Sequence, residues 1–237
     1  MIQQDPMNNI LVQGRESTEV AQFMTRVYSW MSAALAITGL VAFYTASSEA
    51  ILSIVFGSQI AFWGLIIGTF LLVMWISAGI RTMSLSTAAA VFLLYSVMNG
   101  LLFSSIFIVY TGESIALTFF ITAGTFAAMS IYGYTTKADL SKIGSIAIMA
   151  LIGILIASLV NYFLESETLY WIISYVGVAV FVALVAYDTQ KLKDMAIYGF
   201  DGETAARKMS IFGALTLYLD FINLFLFLLR LFGSRRN

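Results

Sequence analysis

The chain has 237 residues, 60% hydrophobic and 11% charged, with a net charge of −1; soluble domains carry about 25% charged residues, so this chain has too little polar surface to be wrapped in water. Cys and His are both absent, which excludes disulfides, thiolate catalysis, thiolate metal sites and the usual proton switch near neutral pH. The balanced charge gives no electrostatic basis for binding nucleic acid, and the single proline, Pro6, leaves every later helix without a proline kink.

Residues 1–23 are polar and mixed in charge. They lack the basic start, short apolar core and small-residue cleavage site of a signal peptide, and they read as a cytosolic N-terminal tail. Charge-free intervals then follow one another: Val27–Ser48, Ala50–Ile80, Thr82–Gly112, Ser114–Thr136, Ile143–Leu164 and Thr168–Tyr187. The last is the 21-residue stretch Met209–Leu229, broken only by Asp220. A membrane-spanning helix needs about 20 mostly apolar residues, and lipid admits only helices or closed barrels. The runs are continuous rather than alternating, so the expectation is an all-α membrane protein. It would have seven spans over 24–232 and a short C-terminal tail, 233–237. Trp30, Trp63, Trp75 and Trp171 are expected at interface or packing positions. Gly64 and Gly68 form a GxxxG pair, which usually serves helix packing.

Lys and Arg alternate between connections. Arg15 and Arg26 precede the first span, Arg81 follows the second, Lys137 and Lys142 follow the fourth, and Lys191, Lys193, Arg207 and Lys208 follow the sixth. The intervening connections, around Glu49, Glu113 and Glu165/Glu167, carry none. The positive-inside rule puts the N-terminus and the basic connections in the cytosol. Arg230, Arg235 and Arg236 conflict with that rule. Either seven spans leave this tail outside, or the last segment is re-entrant and returns.

Two acids stand apart from the rest. Asp188 directly follows the uncharged run Thr168–Tyr187, and Asp220 lies inside the last span. A charge at the centre of a membrane helix costs about 2.5–3.5 kcal/mol on insertion scales, and such residues usually face a bundle interior or a wet cavity. Gly213, Thr216, Asp220, Asn223 and Phe227 recur at spacings of three and four, along one helix face; Thr216 and Asn223 are candidate polar supports for Asp220. Asp188 reads equally well as a boundary carboxylate paired with Lys191 or Lys193. If the connection near Gly199–Glu203 is short, the sixth and seventh spans are antiparallel neighbours. The two aspartates are then out of register by about 9 Å at 1.5 Å per residue, a gap that tilt could absorb. Two carboxylates that met in low dielectric would titrate as a unit and share a proton. They are also hard oxygen ligands for Ca²⁺, though too few for a tight site. Arg81 lies on the same side as Asp188, and reads as its charge-assisted partner or as an ordinary positive-inside anchor.

The segments AYDTQKLKDM and LTLYLDFINLFLFLLRLFG resemble the signatures of the transmembrane Bax inhibitor motif family, in its bacterial members, and the resemblance runs from about Met24 to Gly233. It implies a seven-helix bundle with six helices, in two antiparallel triplets, around a central seventh. It also implies a pH-sensitive Ca²⁺ leak. The family's di-aspartyl sensor would be Asp188 and Asp220, and a latching arginine would be Arg81 in AGIRTM. On this reading the protein is not an enzyme and has no cofactor. Ca²⁺ would be the permeant ion, met weakly and transiently by Asp188 and Asp220, and the partners would be lipid, calcium and protons. The expected location is a bacterial inner membrane. Three alternatives carry other functions: a proton-coupled transporter, a regulator of membrane proteases or cell-death machinery, and an intramembrane aspartyl protease. The last is disfavoured because the GxGD and Pro-Ala-Leu motifs are missing.

Overall fold

The computed structural model describes residues 6–236, with side chains from residue 18 onward. The first five residues of the expected tail, the side chain of Arg15, and Asn237 lie outside the described residues. Eight helices follow in order: α1 (Pro6–Ala46), α2 (Glu49–Phe56), α3 (Gln59–Gly79), α4 (Leu85–Val109), α5 (Gly112–Thr135), α6 (Ser141–Leu164), α7 (Glu167–Tyr198) and α8 (Glu203–Phe232). All but α2 are long and apolar enough to cross a membrane, so the protein is an all-α membrane protein with seven spans. The backbone of 6–23, read from sequence as a tail, is helical and continuous with the first span.

The charge-free interval Ala50–Ile80 is not one element. Ser48 and Ser58 each accept a backbone N–H at a helix start, so α2 ends at Gly57 and α3 begins afresh. Such hydroxyl caps satisfy otherwise orphaned donors. They mark a boundary that hydropathy alone does not show. Gly68 approaches Met98 of α4, but Gly64 faces open space. The GxxxG pair is therefore not a joint packing face. Trp63, Trp75 and Trp171 are exposed on the outside of the bundle, and Trp30 packs against the core.

α8 is the centre of the bundle. Of its most apolar window, 67% is buried, against 11% for α3. It packs on α1, α4, α5 and α7. The outer helices form two equivalent sets. In the first, α4 packs on both α1 and α3; in the second, α7 packs on both α5 and α6. α3 and α6 thus sit one layer out, and the contacts to α8 come mainly from the other four long helices. The three-plus-three arrangement is plain in this packing.

One end of the bundle gathers the basic residues. There Arg26 of α1 meets Glu203 of α8 at 2.8 Å. Lys208 of α8 donates to the carbonyls of Arg81 and Met83, at 2.8 and 3.2 Å, in the turn after α3. The opposite end holds the C-terminal tail. Arg235 and Tyr110 pair in an antiparallel bridge, the Thr111 amide donates to Ser234 at 3.0 Å, and the Arg236 amide donates to Val109 at 2.9 Å. The last segment therefore crosses the bundle completely, and the re-entrant alternative is overturned. Its arginines are accommodated locally. Arg230 lies over the rings of Tyr170 and Phe227, 5.7 and 5.2 Å from their centroids, and Arg236 donates to the Phe107 carbonyl.

Candidate functional site: a carboxyl pair between the sixth and seventh spans

α7 and α8 are joined by four residues, 199–202. Gly199 and Gly202 have φ of +81° and +88°, a region that side chains with a Cβ rarely enter. The connection is short, and the two helices are antiparallel neighbours as the sequence suggested. Counting along them, Asp188 lies ten residues before Tyr198 and Asp220 seventeen after Glu203, a mismatch of about 10 Å at 1.5 Å per residue. At the start of α8, Glu203 reaches Arg26 of α1 and Lys208 reaches the turn after α3; in the connection, Phe200 packs on Phe23 at a 33° tilt with centroids 4.9 Å apart. A cavity of about 750 Å³ lies beneath the α7–α8 turn, with Arg81, Tyr187, Gln190, Lys191, Asp194 and Lys208 among its lining.

Above this cavity the helices close together, and the Asp188 and Asp220 carboxyls come within hydrogen-bonding reach of each other. Asp220 is only 5% exposed, and its Oδ2 has no hydrogen-bond partner. Asp188 is half-buried and feels the positive charge of Lys191, one turn further along α7. Tyr187, Gln190 and Lys191 line the cavity on either side of Asp188, whose own carboxyl turns toward α8. A facing pair of this kind can hold one proton between two oxygens, in a charge-assisted hydrogen bond. As a metal site it is incomplete. Ca²⁺ takes six to eight oxygens, and among the described residues no group of three or more acidic side chains gathers.

The other sequence candidates fall elsewhere. Arg81 is exposed, and among the described residues it makes no ion pair with Asp188. It sits in the turn after α3 and lines the cavity beneath the α7–α8 turn, whereas the Asp188 carboxyl meets Asp220, so the expected pair is not formed. Thr216 and Asn223 share a face with Asp220 but turn back onto their own helix. Thr216 donates to the Phe212 carbonyl at 3.2 Å and Asn223 to Leu219 at 2.8 Å. Neither hydrogen-bonds Asp220.

Gln190 and Thr189, which the sequence reading passed over, hold the site in place, and Lys193, read as a possible partner of Asp188, bonds α5 instead. Gln190 accepts from the Leu140 amide at 2.9 Å and donates to the Ala138 carbonyl at 2.8 Å. Lys193 donates to the Tyr134 carbonyl at 2.8 Å, and Thr189 donates to Ser130 at 3.5 Å. Three consecutive polar residues, 188–190, thus serve α8, α5 and the α5–α6 connection in turn. The ring of Tyr187 lies over Gly144 of α6, and Gly177 of α7 makes room for Phe227 of α8. The signal was the DTQ run itself. A row of polar residues at the end of a span needs buried partners, but a sequence does not say which.

Comparison with known proteins agrees with this architecture. Residues 20–237 match the family described as Bax1-I, Inhibitor of apoptosis-promoting Bax1. The chain is 53% identical over 232 residues to the inner membrane protein YbhL of Escherichia coli, with 98% of each covered. It is 47% identical over 216 residues to an uncharacterized protein of Borreliella burgdorferi, covering 91% of this chain and 93% of that one. It is 44% identical over 217 residues to an uncharacterized protein of Rickettsia prowazekii, covering 91% of each.

Proposed function

The chain belongs to the Bax1-I family, Inhibitor of apoptosis-promoting Bax1, and on that premise we propose that it is a pH-sensitive, Ca²⁺-permeable leak channel governed by the Asp188–Asp220 pair. One observation carries the reading: two carboxyls meet in the interior of a membrane bundle, on its central helix and the neighbour of that helix. Ionisable groups at such depth are expensive and usually mark ion or proton pathways. A pair in contact cannot ionise both members cheaply, so it takes up and releases a proton as a unit. In a chain without His, it is the group best placed to couple pH to transport.

In this reading Asp188 faces the cavity side and Asp220 the sealed side. With one proton between them the carboxyls bond to each other and tie α7 to α8. Loss of that proton leaves two like charges in contact, which drives the helices apart and offers oxygen ligands to a passing cation. Two ligands suit passage better than storage. Lys191 is the cation near Asp188 and tempers its charge. By the positive-inside rule the basic end, with its cavity, faces the cytosol, and the membrane is the inner membrane, the compartment in the name of the YbhL relative.

The test is Ca²⁺ flux into liposomes over roughly pH 5 to 8, for the wild type and for Asp220→Asn. The wild type is expected to change its flux with pH and the variant to lose that dependence. Identical profiles would remove the pair from the mechanism.

A further inference from the structure

Two residues before Asp220, on the opposite side of α8, the structure holds a second polar link. Tyr218 is fully buried. Its hydroxyl lies 2.8 Å from Thr38 Oγ1 of α1. Thr38 gives its single proton to the Ser96 carbonyl of α4 at 2.9 Å, so Tyr218 is the donor in the first bond and Thr38 the relay. The Tyr218 ring stands edge-on to Phe92 and Tyr95 of α4, with centroids 6.0 and 5.7 Å away. Residues two apart on a helix point about 200° from each other. One turn of α8 is therefore bonded to the first helix set through Tyr218 and faces the second set through Asp220.

We infer that Tyr218 is a positioning residue for the carboxyl pair: its bond through Thr38 to α4 fixes the roll of α8, and with it the separation of Asp220 from Asp188. This rests on reading the pair as a proton-sharing unit. The geometry is sensitive. A roll of about 10° moves a group at ~6 Å from the helix axis by ~1 Å, which is enough to turn a good hydrogen bond into none. Apart from its contact with Asp188, the Asp220 face gives α8 no other polar anchor: Oδ2 has no hydrogen-bond partner, and Thr216 and Asn223 bond their own helix. The charged groups on the packed elements leave Asp188 as the member of the pair and Lys191 as its neighbour on α7. The described part of α1 carries Glu19 and Arg26 near its start, α5 carries Glu113 at its own start, and α4 carries none. The titratable group facing Tyr218 is Tyr95 of α4.

The test is an infrared titration of the protonated carboxyl band in the purified, lipid-reconstituted protein, with the band assigned by its loss in Asp220→Asn. Tyr218→Phe and Thr38→Val are each expected to move its pH midpoint by about half a unit, roughly threefold in the protonation constant. The double variant is expected to move it no further than Thr38→Val alone, since that substitution already removes the Tyr218 bond along with the Thr38–Ser96 bond. Thr38→Ser, which keeps the hydroxyl, restores the wild-type midpoint. An Asp220-dependent band that neither variant moves overturns the positioning role and leaves the pair intact. So do shifts that add in the double variant, which would show general loosening. Absence of any such band in the wild type overturns the proton-sharing pair, and the positioning role with it. Flux that ignores pH, in a protein whose band moves as described, overturns the channel reading alone.

Discussion

Gly133 of α5 lies directly against the Ala186 carbonyl of α7, so that a Cβ at that position would overlap the oxygen and carbon of the Ala186 backbone. The contact is backbone against backbone, and no side chain can swing away to relieve it. Overpacking at such a site costs about 1–3 kcal/mol. Gly133→Ala is expected to lower the unfolding midpoint in detergent, whereas Gly153→Ala, whose added methyl meets nothing within 4 Å, does not lower it, Ala being the better helix former. The close approach also brings Thr189 of α7 to Ser130 of α5, next to Asp188. The loss in Gly133→Ala should therefore be accompanied by an altered pH profile of Ca²⁺ flux.

Gln190 bridges two backbone groups of the α5–α6 connection, the Leu140 amide and the Ala138 carbonyl. Leu140 is buried, so its amide has no ready access to water if the partner is removed. An unsatisfied buried donor costs about 1–3 kcal/mol. Gln190→Leu is expected to destabilise by about 2 kcal/mol on that principle, and to speed hydrogen exchange at the Leu140 amide. Unchanged exchange there would show that the bridge is not what holds the connection.

How far the sequence could be read follows from the kind of signal each feature leaves. Seven spans were legible because each is a long interval with at most one charge; Asp220 showed that α8 buries one face, and its central place came from the family resemblance. The break at Gly57–Ser58 was not legible, because both flanks are apolar and the boundary rests on hydroxyl caps. The Asp188–Asp220 meeting was permitted by spacing but depended on how α7 and α8 are set against each other, which is a tertiary contact. Arg81 does not pair with Asp188 for a tertiary reason too: it lines the cavity beneath the α7–α8 turn, while the Asp188 carboxyl turns to Asp220. Tyr218 sits in plain view two residues from Asp220, yet only the packing of α1 and α4 shows that its hydroxyl has a partner there.

The C-terminal tail fastens the far end of α8 to the joint between α4 and α5, where the two helix sets meet. Two of its bonds are backbone bonds: Thr111 amide to Ser234 carbonyl, and Arg236 amide to Val109 carbonyl. Ser114 adds a side-chain donor to Ser234 at 3.4 Å, and the Arg236 guanidinium donates to the Phe107 carbonyl at 3.3 Å. Truncation after Gly233 removes all four, and at about 1 kcal/mol for each intramolecular bond it should lower the unfolding midpoint clearly. Arg235→Gln keeps the backbone and replaces an exposed side chain, so it should leave that midpoint in place. An Arg235→Gln loss as large as that of the truncation would shift the role from the main chain to the guanidinium.

Asp139 gives a stability effect whose sign can be worked out. It lies in the connection before α6, and its Oδ1 accepts the Ser141 amide at 2.9 Å. Hydrogen bonds from the Ser141 side chain and backbone, with a smaller contribution from the charge of Lys142, hold its carboxyl below its ordinary value of 3.8. A group whose folded value is depressed adds stability above its unfolded value, and that stability is lost as pH falls through the folded one. Asp139→Asn weakens the bond to Ser141 and removes the charge. The variant should therefore unfold at a lower temperature than the wild type at neutral pH. The gap should narrow as pH drops through the carboxylate range, and vanish once Asp139 is protonated in both states of the wild type. Thermal unfolding of the two proteins in detergent across that range checks it. A gap that stays constant down to the acid limit would show that the carboxylate charge contributes nothing to the start of α6.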